Sequence, residues 1–113
     1  QKQRVSGKLL VRVPEVFGLD EAMAIGTAGY TAMLCVNAIR DHGITPAQGP
    51  VLVSGAGGGV GSVAIMLLAK LGFEVAAITG RAELGDYLKQ LGATEVLDRA
   101  VFVPHAASKR SRP

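Results

Sequence analysis

The sequence predicts an α/β fold in which about three short parallel strands alternate with helices. Residues 51–53 form an unbroken apolar run typical of a central parallel strand covered on both faces. A glycine-rich turn and an amphipathic helical stretch follow, and the same alternation then repeats. Strand, helix, strand, helix, strand makes two right-handed crossovers, which is half of a doubly wound sheet. The predicted architecture is therefore a partial Rossmann fold, a parallel sheet with flanking helices.

The first fifty residues are predicted to hold an extended segment, a long helix and a loop. Residues 5–13 mix apolar and polar side chains and stop at Pro14, which is typical of an edge segment. Asp20 is a plausible N-cap for a helix that continues to about Ile39. Residues 41–50 contain two glycines and two prolines and are predicted to be a loop.

Two properties of the long helix need explanation. Gly26 and Gly29 each cost about 1 kcal/mol relative to alanine in a helix interior, so a close approach to backbone or ligand would account for them. Residues 22–39 contain no charged side chain, which reaches the minimum length of a membrane span. Glycine, threonine and asparagine interrupt this stretch, and the sequence favours a helix buried inside a protein.

The second half of the chain has the order of turns, helices and strands expected of two crossover units. The turn over residues 55–61 leads into a helix with apolar residues at helical spacing, which ends at Gly72. Residues 73–79 are the second predicted strand. Another helix ends at Gly92, and residues 94–97 form the third strand.

Composition excludes several classes of protein. With 49% hydrophobic and 19% charged residues, the 113-residue chain is expected to be compact. The net charge of +3 equals the contribution of Lys109, Arg110 and Arg112, so a solvated basic terminus is favoured over nucleic-acid binding. The single cysteine, Cys35, excludes an intrachain disulfide, is expected to be a small buried hydrophobe, and favours a reducing, cytoplasmic compartment. With only His42 and His105 besides it, no metal site is predicted.

The glycine-rich turn carries the main functional signal. The pattern G-x-G-x-x-G fits it as Ala56-x-Gly58-x-x-Gly61, with alanine in the first position. In this pattern the first small residue permits the tight turn, Gly58 admits a pyrophosphate, and Gly61 lets the helix lie against the strand. The amides that open the helix, including those of Gly59 and Val60, would then face the phosphates. Glycine turns also serve only to reverse a chain, but the flanking strands and helix favour dinucleotide binding.

The end of the second strand indicates which dinucleotide. NAD-binding units place an Asp or Glu there, about 20 residues after the turn, to hold the ribose 2′-hydroxyl. This chain has Thr79, Gly80 and Arg81 instead, and a guanidinium suits a 2′-phosphate. The sequence therefore predicts NADPH as cofactor. The alternative is a solvated arginine at a helix start.

With these residues placed, the chain resembles the zinc-independent quinone oxidoreductase branch of the medium-chain dehydrogenase/reductase superfamily, and most of all its NADPH-dependent acrylyl-CoA reductases. The resemblance extends from Val5 to about Asp98. It rests on residues 22–32, which read AMAIGTAGYTA, on the turn GAGGGVGS at 55–62, and on Leu91-Gly92-Ala93 before Val96-Leu97-Asp98.

The resemblance implies reduction of an activated carbon–carbon double bond, with an acyl-CoA thioester or a quinone as the small-molecule substrate. It implies nicotinamide contacts at Thr27, Tyr30 and Thr31, and a 2′-phosphate site at Thr79 and Arg81. Tyr87 and Lys89 are further candidates for that site. No catalytic proton donor is predicted.

The resemblance also implies a division of the chain. Residues 1–19 would end a catalytic-domain segment, residues 20–98 would be a partial dinucleotide-binding domain, and residues 99–113 would be a tail. Family members are longer, so the chain alone is expected to be inactive. The alternative is a non-catalytic nucleotide-binding or interaction module. Exposed strand edges in a half-sheet favour a homo-oligomer.

Overall fold

A computed structural model describes residues 2–102 of the chain. Three helices alternate with three strands in the described residues, and four 3₁₀ helices fill the connections. The helices and strands are α1 (Leu19–Asp41), β1 (Val51–Val53), α2 (Gly59–Lys70), β2 (Val75–Thr79), α3 (Gly85–Leu91) and β3 (Glu95–Asp98), and the 3₁₀ helices are Gly7–Leu9, Pro46–Gln48, Ala82–Leu84 and Arg99–Phe102. His105, Lys109, Arg110 and Arg112 lie outside the described residues.

The strands form one parallel sheet in the order β1-β2-β3. Val51 lies opposite Val75, and Thr79 lies opposite Asp98. The carboxyl ends of β2 and β3 therefore coincide at one edge of the sheet. The prediction of a partial Rossmann fold with three parallel strands is confirmed.

The core lies between one face of the sheet and helices α2 and α3. Because side chains alternate along a strand, Val53, Val75 and Ala77 point to the same face. They pack there with Ile65 and Leu68 of α2 and with Leu88 of α3, and all six side chains are buried. β2 is the best protected strand, since all five of its residues are buried.

Helices α2 and α3 end next to Gly72 and Gly92, as the sequence predicted. Gly72 has a φ of +88°, and Gly92, at +118°, is the left-handed C-cap of α3. β2 starts two residues later than predicted and β3 one residue later. Thr94 precedes β3, and its hydroxyl both accepts from the Val75 amide (3.1 Å) and donates to the Val75 carbonyl (2.9 Å).

Two predictions for the N-terminal segment are wrong. Residues 5–13 form no strand; they contain a 3₁₀ helix at 7–9 and are exposed throughout. An extended segment needs a partner, and none of the strands within residues 2–102 pairs with it. Asp20 is not the N-cap of α1 either. Gly18 is, and its amide donates to the Glu21 carboxylate (2.8 Å).

Helix α1 is far more exposed than predicted. Only Gly29, Ala32 and Val36 are buried along it, in a stripe that faces α2. Cys35 is exposed, so the expectation of a buried cysteine is wrong. By length and composition alone α1 could cross a membrane, and 17% of its apolar window is buried in the described chain; a helix of a soluble protein passes the same test.

β1 also differs from its prediction. It lies at an edge of the described sheet instead of between two strands, and Leu52 is 56% exposed. An unbroken apolar run indicates a strand meant for cover on both faces, but it cannot show whether the covering elements lie within residues 2–102.

Candidate functional site

The glycine-rich turn folds back on itself between β1 and α2. Gly55 has a φ of +60°, so the left-handed residue of the turn is Gly55 and not Ala56, the first small residue of the pattern. The Gly58 amide donates to the Gly55 carbonyl (2.9 Å), and the Ala56 amide donates to the Ile78 carbonyl of β2 (3.2 Å). The turn is thereby fixed to the end of the neighbouring strand.

Gly61 is required by close packing of the helix on the turn. A Cβ there would collide with the Gly55 carbonyl oxygen, and it would lie 2.9 Å from the Gly55 carbonyl carbon and 3.0 Å from the Ala56 Cα. These are backbone atoms, which cannot move aside. The role that the sequence predicted for Gly61 is thus visible in the packing.

The start of α2 presents free amide donors. Gly58 is its N-cap and no side chain caps it. The amides of Gly59, Val60 and Gly61 have no acceptor within the helix, because the first amides of any helix lack one. Such a terminus carries partial positive charge and favours an anion.

Two clefts flank the turn. One, of about 490 Å³, is mainly apolar and lies between α1, β1 and the start of α2. The other, of about 470 Å³, lies across the carboxyl ends of the three strands. We call the second the strand-end cleft. It is lined by Ser54, Gly55, Gly57, Gly58, Ile78, Thr79, Gly80, Arg81 and Arg99.

The strand-end cleft is basic. Two guanidinium groups line it, and none of the acidic side chains among residues 2–102 does. Arg81 follows β2 and reaches over the turn, since its Nη2 lies 3.2 Å from the position of a Cβ on Gly57. The Thr79 hydroxyl accepts from the Arg81 amide (3.1 Å). Thr79 is 8% exposed, and its hydrogen bond fixes the backbone from which Arg81 extends.

The strand-end cleft brings together part of the predicted site. Gly58, Thr79, Gly80 and Arg81 all line it, whereas Gly59, Val60 and Gly61 line the apolar cleft on the other side of the turn. Ala56 lines neither, because its side chain is fully buried in the core.

The predicted nicotinamide contacts lie apart from both clefts. Thr27, Tyr30 and Thr31 are on α1 and line neither cleft. Tyr30 is 66% exposed, and the Thr31 hydroxyl donates to the Thr27 carbonyl (2.8 Å). A Cβ on Gly59 would lie 3.2 Å from the Ala28 Cβ, so this part of α1 does approach the start of α2. Tyr87 and Lys89, on α3, are outside both clefts as well.

Sequence reasoning missed five residues that line the strand-end cleft, Ser54, Gly55, Gly57, Ile78 and Arg99. Arg99 directly follows the third strand, and parallel strands end at a common edge, but spacing along the chain does not specify that its side chain turns into this cleft. Among residues 2–102, no group of three or more His, Cys, Asp or Glu side chains could hold a metal ion.

Comparison with known proteins agrees with this geometry. No family model matches the chain. The acrylyl-CoA reductase AcuI of Ruegeria pomeroyi is 60% identical over 99 residues, which are 88% of this chain and 30% of that protein. Bacillus subtilis YhfP, which carries a provisional name as a quinone oxidoreductase, is 52% identical over 84% of this chain and 29% of that protein.

Solved structures show the same relationship. The YhdH oxidoreductase of Salmonella enterica in complex with NADP matches with a TM-score of 0.83 and 54% identity, over 88% of this chain and 31% of that one. The structure of B. subtilis YhfP with NAD bound matches with a TM-score of 0.81 and 50% identity, over 86% of this chain and 30% of that one.

The chain spans about three tenths of the length of these relatives. Within that part, the sequence and the overall fold agree. Over that part, the chain is homologous to these acrylyl-CoA reductases and quinone oxidoreductases, and its fold matches the corresponding fragment of the NADP-bound oxidoreductase structure.

Proposed function

We propose that the chain binds NADPH in the strand-end cleft, as the nucleotide-binding part of a reductase of activated carbon–carbon double bonds. The observation that carries the proposal is the position of Arg81. It stands at the end of β2, where an NAD-binding unit has a carboxylate, and its guanidinium lies over Gly57 of the phosphate turn.

The residues present fit such a cofactor. The free amides of Gly59, Val60 and Gly61 would hold the pyrophosphate, and Gly58 leaves the backbone open between the two clefts. Arg81 would form charge-assisted hydrogen bonds with the 2′-phosphate, on a backbone that Thr79 fixes. NADPH supplies a hydride when bound.

The relatives support the substrate class. AcuI is named for reduction of acrylyl-CoA and YhfP for quinone oxidoreduction, so the substrate is a small molecule with an activated double bond, an acyl-CoA thioester or a quinone. We further propose a cytoplasmic homo-oligomer, supported by the single cysteine and by the open edge of β1.

Cofactor choice is tested by substitution of Arg81, because YhdH was solved with NADP and YhfP with NAD. Hydrogen bonds to charged groups contribute about 1.5–3 kcal/mol, and about 1.4 kcal/mol corresponds to a tenfold change in affinity. Arg81→Ala should therefore weaken NADPH binding roughly ten- to a hundredfold in a calorimetric titration. NADH binding should change little, because NADH lacks the 2′-phosphate.

Arg40→Ala is the matched control, since Arg40 is an exposed arginine of α1 that lines neither cleft. It should leave both affinities unchanged. Equal losses of NADPH and NADH affinity in Arg81→Ala would contradict the assignment. The activity itself is tested with a protein of the relatives' full length that contains this sequence. NADPH consumption without reduction of acrylyl-CoA or a quinone would overturn the proposed substrate class.

A further inference from the structure

The strand-end cleft contains a second guanidinium, that of Arg99, which is not part of the predicted dinucleotide-binding motif. Arg99 directly follows β3, whose last residue, Asp98, lies opposite Thr79 of β2. The Ala100 amide donates to the Asp98 carboxylate (2.8 Å), which turns the chain at the end of the strand. Arg99 therefore leaves the sheet beside the residues that follow β2.

The Arg99 side chain reaches back across the end of β2. Measured from the position of a Cβ on Gly80, its Cζ lies at 3.1 Å, its Nη2 at 3.2 Å and its Nε at 3.3 Å. Three guanidinium atoms at nearly equal distance show that the planar group lies flat against Gly80. A Cβ at position 80 would force the guanidinium to shift by a few tenths of an ångström.

Two guanidinium groups in one cleft without an acidic lining residue repel each other unless an anion lies between them. A ribose 2′-hydroxyl carries no charge to offset this repulsion. A phosphate monoester carries close to two negative charges at neutral pH and several acceptor oxygens. Arginine pairs with such groups in a bidentate manner.

We infer that Arg99 is a second specificity-determining residue, which binds the 2′-phosphate of the cofactor together with Arg81. The inference rests on the proposed function, because it assigns a role within the same cleft. Gly80 then serves this site by leaving room for the Arg99 guanidinium, and need not contact the cofactor through any atom of its own.

The test uses probes that carry only the adenosine half of the cofactor. 2′,5′-ADP and 5′-AMP differ in the 2′-phosphate alone. Calorimetric titrations of both compare the unchanged chain, Arg99→Ala, Arg81→Ala, the double variant, and Arg40→Ala as the matched control. A thermal melt of each variant confirms that it is folded.

Arg99→Ala should weaken 2′,5′-ADP binding roughly tenfold or more and leave 5′-AMP binding within about twofold. The double variant should bind both probes alike. Arg99→Lys keeps the charge but loses the planar fork, so its affinity for 2′,5′-ADP should fall between those of the unchanged chain and Arg99→Ala. This second variant tests the inference even where Arg99→Ala does not fold.

The two failures can be told apart. If the unchanged chain binds 2′,5′-ADP no better than 5′-AMP, the proposed NADPH site is wrong, and Arg99 loses its role with it. If the preference exists and disappears in Arg81→Ala but persists in Arg99→Ala and Arg99→Lys, only the inference about Arg99 is overturned. Equal losses of both probes in Arg99→Ala would assign Arg99 to the adenosine and also overturn it.

Discussion

At the scale of single residues, Gly58 and Gly61 of the turn lack a side chain for different reasons. A Cβ on Gly58 would lie 3.3 Å from the Gly55 carbonyl oxygen and meet nothing else within 4 Å. A Cβ on Gly61 would meet three backbone atoms of the turn. Gly58 therefore leaves space near the clefts, whereas Gly61 allows the helix to pack closely on the turn.

Gly61→Ala should consequently destabilise the fold. Overpacking typically costs about 1–3 kcal/mol, and backbone neighbours place this substitution at the upper end of that range. Denaturant unfolding followed by circular dichroism measures the loss. Gly85→Ala is the matched control, because Gly85 is also in a helix and its Cβ would meet nothing within 4 Å. It should stabilise by about 0.4–1 kcal/mol, and similar losses in both variants would refute the steric argument.

The sequence revealed Arg81 but not Arg99, for a physical reason. Arg81 stands at a fixed distance from the turn within one crossover unit, where local spacing predicts position. Arg99 joins the site only through the register of β2 with β3 and the direction of its own side chain. Spacing along the chain specifies neither. Thr79 differs in another way, since the sequence predicted a 2′-phosphate contact there, whereas in the structure its hydroxyl accepts from the Arg81 amide.

At the scale of elements, the strands and helices of the crossover units were predictable. There the spacing of the apolar residues and the glycines at the helix ends indicate the same boundaries. The predictions of an edge segment at 5–13 and of an N-cap at Asp20 were wrong in a part of the chain that makes little tertiary contact, since all residues from 2 to 20 are exposed. For a segment without partners, local pattern alone cannot decide between strand and irregular structure.

Helix α1 contains a break that the sequence predicted only as a weakness. Gly26 has a φ of +44° and a ψ of −156°, a region that is almost restricted to glycine. A Cβ there would meet nothing within 4 Å, so the restriction comes from the backbone and not from packing. The break separates the exposed start of α1 from the part that packs on α2.

Gly26→Ala should cost about 1–3 kcal/mol of unfolding free energy, the range for a residue held in a sparsely populated conformation. Chemical denaturation of the chain gives the value. Ala24→Gly is the control for helix propensity in the same element, and it should cost only about 1 kcal/mol. An unchanged or higher stability of Gly26→Ala would mean that α1 can straighten without loss.

At the scale of the whole molecule, the described chain is a half-sheet whose two faces are covered unequally. Helices α2 and α3 pack on the side of Val53, Val75 and Ala77. By strand register, Leu52 and Ala76 share the opposite face, and neither belongs to the core cluster. On that opposite face Leu52 is 56% exposed, whereas Ala76 and Ile78 are buried. Within residues 2–102, cover is therefore missing over β1 but not over β2.

The open edge of β1 makes self-association the expected behaviour of the isolated chain. The Val51 amide donates to the Glu74 carbonyl (2.9 Å), so Val51 faces β2. Because backbone groups alternate in direction along a strand, those of Leu52 face away from the sheet, and its side chain is 56% exposed. An unpaired strand edge with an exposed apolar side chain is a template for a second copy.

Leu52→Lys should therefore shift the chain towards monomer, since lysine on an edge strand opposes pairing with another edge. Sedimentation velocity over a range of concentrations should show association of the unchanged chain and a smaller weight-average mass for the variant. Leu34→Lys is the matched control, because Leu34 is 51% exposed on α1 and lines neither cleft. Equal dissociation in both variants would indicate a general effect of added charge, and a chain that is monomeric at every concentration would show that the open edge of β1 does not recruit a second copy.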